Sequence, residues 1–273
     1  MRPKFSFVIH GRNDNFGVYE EQGGPSFEYR IARAIESIRD QDYDQQQIEI
    51  IYVDGWEENP TPLPDLGVRV LPVSLAYIQK RFPKSRYPVS FYLNVGVREA
   101  QGEYIITQTA DNIFRKDFVS QYLDYASSPS FICVASKRYT TCRLDFSGKT
   151  YWHGCSSAKE MFEALAQQDS PHDPFEAHPF DMAHDFHGMH RMRWEQLRGF
   201  DESMTDWGFI DQQLVYRAVQ LMGLQCQNLS LLGAHMYHMD HKPVYLSVTT
   251  PLVENPRTVS HMAVNNENWG KCI

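Results

Sequence analysis

The chain of 273 residues carries a formal net charge of −8, with 42% hydrophobic and 22% charged residues, the balance of a globular chain able to bury a large core. That charge excludes sequence-independent affinity for nucleic acid or for an anionic membrane, while leaving room for a compact site that takes an anionic ligand. No run approaches the roughly 18 to 20 apolar residues that span a bilayer, and five scattered cysteines without a C-x-x-C pair point to neither a disulfide framework nor a thiolate zinc site, so the expectation is a soluble, cytoplasmic protein of one domain.

In chain order, short apolar runs alternate with helical patterns, the signature of a sheet built from β-α-β units. Phe5 to His10 reads as the first strand. Ile31, Ala34, Ile35 and Ile38 recur at helical spacing, which predicts a helix from about Pro25 to Gln41 with that stripe on the sheet. Strands follow at Ile48 to Val53 and Val68 to Val73, then a helix from Pro88 to Ala100 that Gly102 stops before the strand Tyr104 to Thr109. Phe118, Tyr122 and Tyr125 mark another helix, and Phe131 to Ala135 another strand. From Arg138 to His184 the pattern is irregular, apart from a helix near Lys159 to Gln168; long irregular segments in compact domains are commonly functional or disordered. A short strand at Gly188 to Arg191, the turn Gly199-Phe200-Asp201-Glu202, a helix from Ile210 to Met222, and strands at Gln225 to Leu229 and Ala234 to His238 complete the core. The Asn-rich tail beyond Pro251 is expected to wrap the surface.

Open α/β sheets bind ligands in the crevice beyond their strand ends. Arg12 and Asp14 follow the first strand, Asp54 the second and Asp111 the fourth, so three distant segments are placed to line one crevice. Each taken alone also reads as a solvated loop residue or cap. Asp211 opens the helix carrying Leu214, Val215 and Ala218; it is either a partner of the helix dipole or an ionised carboxylate held ready to accept a proton. His235, His238 and His241 form an H-x-x-H-x-x-H run. Residues three apart on a strand face opposite sides, so one or two of them at most serve a common metal. A histidine beside Asp111 would make a mixed oxygen and nitrogen site that suits Mn²⁺ better than Mg²⁺.

The order of Asp54, Asn94-x-Gly96, Ala100-x-Gly102, Asp111, Gly199-Phe200-Asp201-Glu202, Trp207-Gly208-x-x-Asp211 and His238 resembles the GT-A glycosyltransferases, especially their large inverting group known as family two. The likeness runs from Phe5 to about His241 and implies a Rossmann-like α/β fold with a mixed, mostly parallel sheet flanked by helices. It implies one GT-A domain over 1–273: a nucleotide-binding half to about 115, an acceptor half over about 116–250, and a tail over 251–273.

By the same resemblance Asp54 contacts the nucleotide base, with Arg12, Asp14, Arg86 and Asn94 also on the donor. Asp111 is what survives of the family's Asp-x-Asp metal motif, here Thr109-Ala110-Asp111. It would share a divalent cation, Mn²⁺ before Mg²⁺, with His238 or His235. Asp211 falls where the catalytic base sits. Related bacterial and viral enzymes with a single such aspartate and a Tyr-His-x-x-His ending draw attention to Asp185 as an acceptor contact or second base. Trp207 is a candidate sugar-stacking surface, with Trp194 and Tyr151 behind it. The implied reaction moves a sugar from a nucleoside diphosphate sugar, UDP-sugar favoured, to a hydroxyl of a saccharide or glycoconjugate acceptor. The reduced motif keeps a second reading open, a nucleotide-sugar-binding protein without transfer. A zinc hydrolase built on the histidine run lacks the H-E-x-x-H helix that such an enzyme would show.

Overall fold

The structure is a computed structural model that describes residues 2–13, 26–85, 87–127, 129–133, 137–138, 157–160, 163, 186–205, 210–229, 234, 236–239 and 264–272. Among them the strands are β1 (Phe5–Gly11), β2 (Ile48–Asp54), β3 (Val68–Pro72), β4 (Tyr104–Gln108), β5 (Asn112–Phe114), β6 (Ser130–Cys133), β7 (Lys137–Arg138), β8 (Phe186–His190), β9 (Gln225–Asn228) and β10 (Met236–His238). The helices are α1 (Phe27–Arg39), α2 (Leu75–Arg81), α3 (Val89–Glu99), α4 (Phe118–Tyr125), α5 (Arg191–Leu197) and α6 (Ile210–Tyr216).

Seven strands form one sheet in the order β3-β2-β1-β4-β8-β6-β9. The first four run parallel, and β8 is antiparallel to both of its neighbours. Chain progress moves outward from β1 through β2 to β3 and then crosses to β4 on the other side of β1. The topological switch therefore lies between β1 and β4, where the loops leaving the two strands diverge and open a crevice. A second sheet, β5-β10-β7, sits beyond the end of β4.

β1 is buried along its whole length, and its alternation sorts the core. Phe5, Phe7 and Ile9 join the cluster under α1 and α4, whereas Val8 joins the cluster under α3 and α6. Gly96 lets α3 settle onto the sheet: a Cβ there would stand 2.3 Å from Val8 Cγ1. Ser26 caps α1 by accepting the Tyr29 N–H at 3.1 Å.

Two short helices, α2 and α5, were not expected. Each is seven residues long, too short for a 3.6-residue stripe to register; α5 is started by His190, whose ring nitrogen accepts the Met192 N–H at 3.3 Å. The helix expected from Ile210 to Met222 is α-helical only to Tyr216 and continues as a π-turn over Arg217–Leu221. The expected surface tail is corrected in part. Trp269 is buried in the α3-side cluster, and Arg98 fixes the segment by donating to Trp269 O at 2.6 Å. No helix among the described residues is long and apolar enough to cross a membrane.

Candidate functional site

The crevice at the switch point is built from the strand ends. His10, at the end of β1, is buried, and its Nδ1 lies 2.8 Å from the Tyr87 hydroxyl. Burial lowers its pKa to about 4, with the nearby Asp111 charge opposing the shift, so the imidazole is neutral near pH 7. Arg12 holds its guanidinium 5.2 Å from the centre of the Tyr87 ring. The sequence alone did not single out His10.

Because the folded His10 pKa of about 4 lies below its ordinary value of 6.5, the unfolded chain binds more protons between those pH values. Stability is then highest above pH 6.5 and falls as the pH drops toward 4, by roughly 3 kcal/mol from this group. Urea unfolding at pH 7 and pH 4 measures it, and His10→Phe is expected to flatten the slope.

Asp54 pairs in register with Gly11 at the end of β1. Its two oxygens accept backbone N–H groups from Thr61 at 2.8 Å and Trp56 at 3.2 Å. Desolvation raises its pKa, and those hydrogen bonds offset part of the rise. The carboxylate is the organiser of the loop over 54–61, which borders the crevice.

Asp111 begins just past β4, and its Oδ1 takes the Arg30 Nη1 of α1 at 2.6 Å, with side chains only 12% and 2% exposed. His238 stands on β10 directly opposite Asn112, and the Met239 N–H donates to Asp111 O at 2.8 Å. The register therefore aligns His238 with Asn112 and Met239 with Asp111, so β10 brings His238 next to the strand end without setting it opposite Asp111. Among the described residues no group of three or more His, Cys, Asp or Glu side chains gathers to hold a metal. Asp111 would hold a divalent cation only with a ligand that supplies most of the remaining oxygens.

Asp211 is in the first turn of α6. His187 Nε2 lies 3.4 Å from Asp211 Oδ1, with Asp211 27% exposed and His187 buried. On the other side of that ring, Nδ1 is 3.3 Å from Thr107 Oγ1, a contact set by the Thr107↔His187 pairing of β4 with β8. A tautomer with the proton on Nε2 donates toward Asp211 while Nδ1 accepts from the threonine hydroxyl. The start of α6 is anchored below by a buried polar chain. Gln213 Nε2 donates to Asp201 at 3.2 Å, Arg217 Nε donates to Gln213 at 2.9 Å, and Arg217 also donates to Leu197 O and Gly199 O at 2.9 and 2.7 Å. This arrangement leaves a partly exposed carboxylate beside a histidine in the first turn of α6.

Two expectations are corrected. Asn94 does not line the crevice: it is fully buried, accepts the Phe200 N–H at 2.7 Å, and donates to Phe200 O at 2.9 Å and Glu202 Oε1 at 3.1 Å. It clamps the turn that Gly199 makes at φ +68°, where a Cβ would meet Asn94 Oδ1 at 2.1 Å. Asn94→Ala is expected to cost about 1–3 kcal/mol, since it strands buried backbone groups, and to leave nucleotide affinity unchanged; urea unfolding and a binding titration check the two halves. Trp194 is also core rather than a sugar platform, buried with its indole N–H on Ile105 O at 3.0 Å. Asp14, Arg86, Tyr151, Asp185, Trp207, His235 and His241 lie outside the described residues.

No family model matches the sequence, and comparison with curated proteins gives no match. Solved structures do match. Residues 1–349 of S. aureus TarS, in complex with UDP-GlcNAc, match with a TM-score of 0.56 at 12% identity, over 91% of this chain and 62% of that one. A mannosyltransferase from Pyrobaculum calidifontis, in complex with GDP-Man and Mn²⁺, matches with a TM-score of 0.50 at 17% identity over 84% of this chain and 55% of that one. The catalytic domain of Drosophila β1,4galactosyltransferase 7, in complex with xylobiose, gives 0.50 at 12% identity over 94% and 79%. The chain spans only 36% of the longer TarS chain it matches. The likeness is one of fold: a mixed, mostly parallel α/β sheet flanked by helices, as in GT-A structures.

Proposed function

We propose that the protein is a glycosyltransferase that moves a sugar from a nucleoside diphosphate sugar, UDP-sugar favoured, to a hydroxyl of a saccharide or glycoconjugate acceptor, with inversion at the anomeric carbon. The observation that supports the reading best is the Asp211 carboxylate set against His187 of β8, next to the strand β4 that Asp111 follows, on a fold matched by nucleotide-sugar-bound structures.

In this reading the base rests against the loop over 54–61 that Asp54 folds, with Arg12 beside it, and Asp14 and Arg86 act on the same ligand. Asp111 and His238, with His235 as a further candidate, would hold a divalent cation, Mn²⁺ before Mg²⁺, which when bound neutralises charge on the departing diphosphate. Asp211 accepts the acceptor proton as the hydroxyl attacks. His187 holds the carboxylate in place from 3.4 Å. Asp185 and Trp207 are proposed on the acceptor side. Transfer by direct displacement breaks the bond from the anomeric carbon to the diphosphate oxygen as the new glycosidic bond forms, so no enzyme-bound sugar is needed.

Release of nucleoside diphosphate from a panel of UDP- and GDP-sugars, with and without saccharide acceptors, tests the reading. Release from one nucleotide class, accelerated by an acceptor, is the expected result. Nucleotide binding with neither release nor transfer would favour the binding-protein reading instead.

A further inference from the structure

We infer that Arg30 is the resident counter-cation of Asp111 and makes divalent cation binding at that carboxylate conditional on a diphosphate. This rests on the proposed role of Asp111.

Arg30 is almost wholly excluded from water. It lies in the first turn of α1 beside Phe27, with its guanidinium 5.7 Å from the Phe27 ring centre, and it reaches across the sheet edge to a carboxylate 81 residues away. Both partners are withdrawn from water, so their attraction is little screened, and the short charge-assisted bond compensates the Asp111 charge without any metal. An incoming divalent ion would meet a like charge already seated on Asp111. Like charges placed together in a poorly hydrated site repel strongly. The missing first carboxylate of Thr109-Ala110-Asp111 removes the charge that would otherwise offset this.

A diphosphate changes the balance. It brings negative oxygens that neutralise the cation and at the same time offer the guanidinium a new bidentate partner, so cation and nucleotide enter as one unit. The free protein is held in the Arg30–Asp111 state, and α1, the turn after β4 and the ligand are linked through one exchangeable ion pair.

Mn²⁺ titration followed by the paramagnetic resonance signal of free aqueous Mn²⁺ tests this without any assay of turnover. Wild-type protein without nucleotide is expected to leave Mn²⁺ free, whereas Arg30→Met binds it on the order of a hundredfold more tightly. Arg30→Met should also be stabilised by Mn²⁺ in thermal unfolding, and adding Asp111→Asn should abolish both gains. Should Arg30→Met fail to fold, Arg30→Lys retains a charge with a shorter reach and is expected to show a smaller gain of the same kind. Nucleotide-free Mn²⁺ binding by the wild type as tight as in these variants would overturn the proposal, as would variants that gain none. Thermal stabilisation of the wild type by nucleoside diphosphates is read separately, so a failure of the Arg30 claim with that stabilisation intact leaves the donor site standing.

Discussion

Asp211→Asn should lower turnover by ~10²- to 10⁴-fold, the usual worth of a positioned general base, while nucleotide affinity stays within a factor of about two or three of wild type. The amide keeps the size of the side chain and its place in the first turn of α6 but accepts no proton near neutral pH. The polar chain from Asp201 through Gln213 to Arg217 is untouched, so the fold should hold. Because an interaction made only in the transition state is being removed, the loss belongs in kcat with KM for the donor little changed. His187→Gln, which keeps a donor but not the ring, should give a smaller loss, again in kcat. Full turnover in Asp211→Asn would assign the base elsewhere, with Asp185 next in line.

Asp111→Ala is expected to act twice. Removing one member of a buried ion pair leaves the other charge stranded, at a cost of about 3–5 kcal/mol, and Arg30 loses the carboxylate that it grips at 2.6 Å. For a domain of this size that lowers the thermal midpoint by roughly 10 °C. The second effect is on the ligand: any Mn²⁺ dependence of nucleotide binding should vanish, because the cation loses its oxygen ligand from the protein. Thermal unfolding with and without Mn²⁺ and nucleotide separates the two. An unchanged midpoint would mean that the ion pair adds nothing to stability, and a nucleotide affinity still enhanced by Mn²⁺ would count against Asp111 as a ligand.

The parallel half of the sheet was legible because its strands are short apolar runs set off by polar turns, so β1, β2 and β4 and the acidic residues beyond them were expected close to where they lie. Periodicity finds a strand end and therefore Asp54 and Asp111. It says nothing of partners. Arg30 is next to Ile31 in the buried stripe of α1, and a lone arginine in a helix pattern reads as a solvated side chain until the fold brings Asp111 to it. His187 was passed over for a similar reason: its contact with Asp211 exists only through the pairing of β8 with β4. Asn94 shows the opposite error, in which a motif position carried a ligand role although its amide is wholly used in clamping the turn at Phe200. The π-turn after α6 leaves no periodic trace, since one extra backbone residue in a short helix does not alter which residues are apolar. Trp269 escaped notice because a single apolar residue among asparagines gives no pattern.

A nucleoside diphosphate site at the switch between β1 and β4 is the centre of the proposed function. Thermal unfolding of the wild type with UDP, GDP and the other nucleoside diphosphates, each with Mn²⁺, with Mg²⁺ and with chelator, tests it most directly. A ligand at a hundred times its dissociation constant stabilises the fold by about 2.7 kcal/mol, a shift of several degrees in a domain of this size. That shift is expected for one nucleotide class, larger with Mn²⁺ than with chelator and absent with Mn²⁺ alone. No shift with any nucleotide under any of the three conditions would contradict it.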